Sequence, residues 1–158
     1  MKYLTKKFLL IGVVFGLFIT ACKQSKDGSE EIANSESIEK IVPENLKWSE
    51  RMTLSEIERF PKASLLDFTK TPRWSYTNGL VLSAEAKVYE QTKNQKIYDY
   101  IYAYADEMID SSGTIQTYKL SNQNLDMIKS GDVLLYIYPK THEERFLKAF
   151  ERGLLFIY

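Results

Sequence analysis

The sequence predicts an all-α domain built from helical hairpins. Two observations carry this. Apolar residues recur at three and four along most of residues 48–150, the period of a helix with one buried face. In addition, the chain repeats itself at an offset of 49 residues: Val88-Tyr89 aligns with Ile137-Tyr138, Thr92 with Thr141, Lys96 with Arg145, Ile97 with Phe146 and Ile101 with Phe150. Each unit reads as helix, short polar turn, helix. Hairpins repeated at such a spacing build toroids or solenoids, in which each hairpin buries its face on the next.

The elements follow in order. Trp48 to Phe60 forms the first helix, with Ser49 as N-cap, Met52, Ile57 and Phe60 along one side, and Pro61 as its stop. Arg73 to Gly79 is irregular after Pro72. A second helix covers Leu80 to Gln91, with Val81, Ala84 and Val88 on its apolar stripe. A turn at Thr92 to Gln95 leads into a third helix carrying Ile97, Ile101, Ala105 and Met108. Ser111-Ser112-Gly113 ends that helix. Thr114 to Leu120 alternates apolar and polar residues, as a short extended segment does. A fourth helix covers Asp132 to Tyr138, and a fifth runs from Glu143 onward.

The N-terminus reads as a targeting segment. Lys2, Lys6 and Lys7 precede an apolar run from Phe8 to Ile19, shorter than the roughly 20 residues that span a bilayer. Ile19-Thr20-Ala21-Cys22 resembles the lipobox of bacterial lipoproteins, and Cys22 is the one cysteine of the chain. The alternative is a buried cysteine in a signal anchor. The organisation expected is a signal peptide at 1–21, a polar tether at 22–42 and a helical domain at 43–158. A lipidated Cys22 implies a membrane-anchored protein on the periplasmic side or the surface of a Gram-negative bacterium, at the outer membrane. Two or more acyl chains suffice for stable anchoring.

Composition excludes several classes. The 21 basic and 21 acidic residues balance without a basic stripe, so nucleic acid is not an expected partner. One His and one Cys are too few for a zinc centre, and no metal or other cofactor is expected. The eleven Tyr and eight Phe suit either helical cores or carbohydrate clefts.

Four pieces of sequence occur in one order: Trp48-Ser49-Glu50-Arg51-Met52 with Arg59-Phe60-Pro61; Trp74-Ser75-Tyr76-Thr77-Asn78-Gly79; Gly113-Thr114-Ile115-Gln116-Thr117-Tyr118 followed by Asn124-Leu125-Asp126-Met127-Ile128 and Gly131; and Tyr138 with Thr141 to Phe146. Together they resemble the N-terminal third of the unsaturated rhamnogalacturonyl hydrolases, glycoside hydrolase families 88 and 105. The resemblance implies an (α/α)6 barrel, a six-hairpin toroid, of which about two and a half hairpins are present. It implies a pectin-derived oligosaccharide ending in a 4,5-unsaturated uronic acid as substrate. It implies a carboxylic acid that protonates the vinyl ether double bond before water adds, chemistry distinct from two-carboxylate glycoside hydrolysis. Such an acid needs a raised pKa, which burial beside a second carboxylate supplies.

By this resemblance Asp126 matches the first of two active-site aspartates; the alternative is an Asp placed to favour a helix dipole. Trp74 and Tyr76 either contact a sugar ring or belong to the core. Asn78 stands where many relatives carry His, and His142 where Gly is usual. The W-x-D-G segment that carries the main proton donor in relatives has no match in these 158 residues. That gap, with the uncharged run Gly153 to Tyr158, reads as a truncated domain without activity of its own. Two other readings are a non-catalytic glycan-binding surface lipoprotein and a helical scaffold.

Overall fold

The computed structural model describes residues 42–119, 121 and 124–154. The expected signal peptide, Cys22, nearly all of the expected tether, residues 120, 122 and 123 and the last four residues lie outside the described residues. Five helices follow one another: α1 (Trp48–Arg59), α2 (Tyr76–Thr92), α3 (Gln95–Met108), α4 (Gly131–Thr141) and α5 (Glu144–Leu154). Two short 3₁₀ turns, Ala63–Leu65 and Leu125–Ile128, lie after α1 and before α4. Helix α2 packs against α1, α3 and α4, and α4 packs against α5. Among the described residues the one β feature is an antiparallel bridge between Ile109 and Ile115. The all-α class holds.

The core follows the predicted period best in α3. Ile97, Ile101, Ala105 and Met108 are all fully buried there, joined by Tyr100 and Tyr104. From the neighbouring helices Leu54, Ile57, Leu82, Leu134, Ile137, Phe146 and Ala149 complete one continuous apolar cluster. Burying such side chains contributes about 1.5–3 kcal/mol each before entropy is counted.

The 49-residue repeat is physical. Lys93 ends α2 at φ 54°, ψ 27°, and His142 ends α4 at φ 55°, ψ 25°. Both lie in the left-handed region that usually selects glycine. Thr92 and Thr141 each donate a hydroxyl to the carbonyl four residues back, Val88 and Ile137. Each then accepts from an amide two residues on, Asn94 or Glu143, at 3.3 Å. One turn design therefore closes both hairpins. The hairpins are joined by Tyr102, whose hydroxyl donates to Glu143 at 2.8 Å.

Four local expectations change. Ser49 does not cap α1, because the helix already begins at Trp48 with the amide of Arg51 donating to Lys47 O. Met52 is 69% exposed; the buried side of α1 is Thr53, Leu54 and Ile57, rotated from the predicted face. Helix α2 starts four residues early, and its buried side is Asn78, Gly79, Leu82, Glu85 and Ala86, while Ala84 is exposed. Counting apolar residues misplaced that stripe because two of its members are polar. The segment after Gly113 is a turn, not a strand: past the Ile109–Ile115 bridge the amide of Gln116 still donates to Met108 O at 2.8 Å, but Thr117 at φ 62° then turns the chain back, with the amide of Tyr118 donating to Ile115 O.

Candidate functional site

The segment 73–79 sews the domain together around the turn that carries Asp126. It begins with the main chain. The amide of Arg73 donates to Ser64 O at 3.0 Å, and the amide of Trp74 donates to Thr117 Oγ1 at 3.0 Å. The Trp74 indole then reaches across, with Nε1 donating to Met127 O at 2.8 Å. Its ring is 2% exposed and stacks on Tyr104, centroids 5.7 Å apart and planes 10° from parallel. The indole faces the core and its polar edge holds the turn, so Trp74 offers no open face to a sugar. The core alternative for Trp74 is the one that its burial matches.

Ser75 precedes α2, and its hydroxyl donates to Asn78 Oδ1. The Asn78 amide nitrogen donates to Ala63 O at 2.6 Å, and the side chain is 1% exposed. Both ends of Asn78 are therefore engaged inside the protein. The next residue, Gly79, lets α2 meet the backbone ahead of α4. A Cβ built at Gly79 would lie 2.5 Å from Lys129 C, Lys129 O and Ser130 N. No side chain fits there. Ser130 completes the clamp by donating its hydroxyl to Ser75 O. The Tyr104 hydroxyl lies 3.2 Å from Arg73 O and 3.4 Å from Ser130 Oγ. Burial holds that phenol well above its ordinary pKa.

The clamp holds the 3₁₀ turn Leu125–Ile128. Asn124 caps it, its side-chain oxygen accepting from the amide of Asp126 at 3.0 Å. The Asp126 carboxylate itself is exposed, with Leu125 beside it 72% exposed. Tyr76, the first residue of α2, is 48% exposed, an orientation open to a ligand. The recess lined by Trp74, Ile115, Tyr118, Met127, Leu134 and Phe150 is apolar and about 20 Å³ in volume. That is room for about one water, far short of the ~300 Å³ of a small-molecule site.

Of the residues singled out in the sequence, the clamp links Trp74 directly to the Asp126 turn. Sequence reasoning missed Thr117, Met127 and Ser130. Met127 and Arg73 act through main-chain carbonyls, which no sequence pattern advertises. Gly79 had a signal, a glycine immediately before the predicted second helix. Among the described residues no group of three or more His, Cys, Asp or Glu is placed to hold a metal ion.

Comparison with known proteins places this geometry. The sequence profile of Glycosyl Hydrolase Family 88 matches residues 48–157, most of the chain. A solved structure of a family 105 glycoside hydrolase from C. acetobutylicum ATCC 824 is similar at 33% identity, with a TM-score of 0.59. The match covers 71% of this chain and 29% of that one, so the chain spans under a third of that protein's length. The helical hairpins agree with a partial (α/α)6 barrel, and the clamped turn lies within the matched stretch. The chain belongs to Glycosyl Hydrolase Family 88.

Proposed function

We propose that the domain to which this chain contributes hydrolyses pectin-derived oligosaccharides ending in a 4,5-unsaturated uronic acid. The observation that carries this reading is the family match over residues 48–157; within it, the sequence resemblance gives Asp126 the role of an active-site aspartate. In the reaction a carboxylic acid delivers a proton to the carbon–carbon double bond of the vinyl ether. Water adds to the resulting oxocarbenium carbon and loses its proton to a base. The hemiketal then opens and releases the rest of the sugar chain. Asp126 is the residue of this chain assigned to proton transfer or to stabilising that cation. Tyr76 is assigned to the sugar ring, and Trp74 to positioning the turn.

The 158 residues contain no W-x-D-G segment. We therefore propose that the chain alone does not turn over. An unsaturated rhamnogalacturonan disaccharide, followed by loss of the ultraviolet absorbance of its conjugated double bond, tests this. Consumption of the disaccharide by the purified chain would overturn it.

A second reading, a glycan-binding surface lipoprotein without catalysis, draws on the exposure of Asp126 and the missing segment. Saturable binding of pectic oligomers by the chain, with no role for Asp126 in any longer active form, would favour it. Either reading includes an anchor at Cys22, supported by Ile19-Thr20-Ala21-Cys22. That places the protein at the outer membrane, facing the periplasm or the cell surface. Incorporation of labelled fatty acid that is abolished in Cys22→Ser is the expected result.

A further inference from the structure

Helix α2 carries a carboxyl group that the sugar chemistry does not use. Glu85 is 3% exposed, and both of its carboxyl oxygens lack a hydrogen-bond partner among the described residues. A buried polar group is ordinarily paired, and a buried charge is paired or neutralised. Among the described residues, burial and the Glu56 carboxyl are the influences on this one, and no cation is among them. From α1 the half-buried Glu56 presents a second carboxyl, which acts against ionisation of Glu85. From α3 Tyr100 approaches, but its hydroxyl already donates to Phe60 O at 2.7 Å. That phenol is held high by burial, by Glu85 and by Glu56. The 3₁₀ turn Ala63–Leu65 contributes no titratable residue. On α4, Tyr136 and Lys140 are taken up by Glu90, and Asp132 by Lys129. Asp126, on the second 3₁₀ turn, is exposed.

We infer that Glu85 is a proton-operated latch on the first three helices: α1, α2 and α3 close on one another while its carboxyl carries a proton, and loosen when the proton leaves. Burial, reinforced by Glu56, pushes Glu85 up to about 8 from an ordinary 4.5. The direction of the pH effect follows. Between those values the folded chain holds a proton that the unfolded chain has released. Stability is therefore fully present below about 4.5, falls as pH rises toward about 8 and levels off above it. This is the reverse of a salt-bridged carboxylate. The latch does not depend on which sugar the domain takes.

Two measurements on the full chain test it. The side-chain carboxyl ¹³C resonance of Glu85, assigned by its absence in Glu85→Gln, is expected to titrate roughly two or more pH units above 4.5. The urea midpoint of the native chain is expected to fall between pH 5 and pH 9, and that of Glu85→Gln to change far less. Glu85→Leu, which fills the site with apolar atoms, is expected to show the same flattened profile. Titration near 4.5, or an unchanged pH slope in a folded Gln or Leu variant, would overturn the inference. If neither variant folds, the native titration decides alone.

Discussion

The indole nitrogen of Trp74 donates to the main-chain oxygen of Met127 across 2.8 Å, joining the entry of α2 to the turn that presents Asp126. The bond spans 53 residues of sequence and lies largely out of water. Its partner is a carbonyl, so the turn is fixed whatever side chain stands at 127. The Trp74 ring is fixed in turn by its stack on Tyr104.

Trp74→Phe keeps an aromatic ring in the core but removes the donor. The lost bond and the Met127 oxygen left unpaired should together cost about 2 kcal/mol. Urea unfolding measures the loss, and amide exchange at 125–128 should accelerate with it. Unchanged stability combined with lost sugar affinity would place the ring on the sugar instead.

Gly79→Ala should be costlier than an ordinary glycine replacement. In an open helix alanine would add about 1 kcal/mol of stability. Here the added methyl meets backbone atoms of Lys129 and Ser130 at 2.5 Å, which no rotamer change relieves. We expect a net loss of about 1–3 kcal/mol, as for overpacked cores. A thermal melt that rises instead would show that α2 and α4 can part at no cost.

Lys93 and His142 hold matching left-handed conformations without being glycine. Such a conformation costs a non-glycine residue roughly 1–2 kcal/mol, partly offset by the greater freedom of glycine when unfolded. Lys93→Gly and His142→Gly should each raise stability by up to about 1 kcal/mol. The gains should add, because the turns close different hairpins. Melting temperatures of the two single variants and the double variant check this.

Asp126 and Asn124 should separate function from fold. Asn124→Ala removes a side-chain cap and should cost about 1 kcal/mol. Asp126→Asn, exposed and capped through its backbone, should stay within about 0.5 kcal/mol of the native chain. A large loss of stability in Asp126→Asn would make that carboxylate structural.

The sequence was most legible where apolar residues alone decide burial. Helix α3 repeats Ile97, Ile101, Ala105 and Met108 and buries them all. The hairpin repeat was legible because the same threonine-led turn closes both units. Helix α2 was misread because Asn78 and Glu85 occupy its buried face, where a polar residue looks like solvent. Asn78 is accommodated by Ser75, three residues back at the start of the helix, and by Ala63, which no helical period connects to it. The clamp at 73–79 was half legible. Its Trp and Gly stand out as residue types, but the carbonyls and hydroxyls that receive them are common to every loop. For Tyr76 and Asp126 the role came from the resemblance, and the structure adds their exposure.

The most direct test joins this chain to the part of the C. acetobutylicum family 105 protein that it does not match, in one folded polypeptide. Turnover of an unsaturated rhamnogalacturonan disaccharide by this chimera is then compared with that of its Asp126→Asn variant. The account predicts hydrolysis by the chimera and a loss on the order of 100-fold or more on substitution, the scale of one proton-transfer group. A folded chimera without turnover, or turnover indifferent to Asp126, would contradict it.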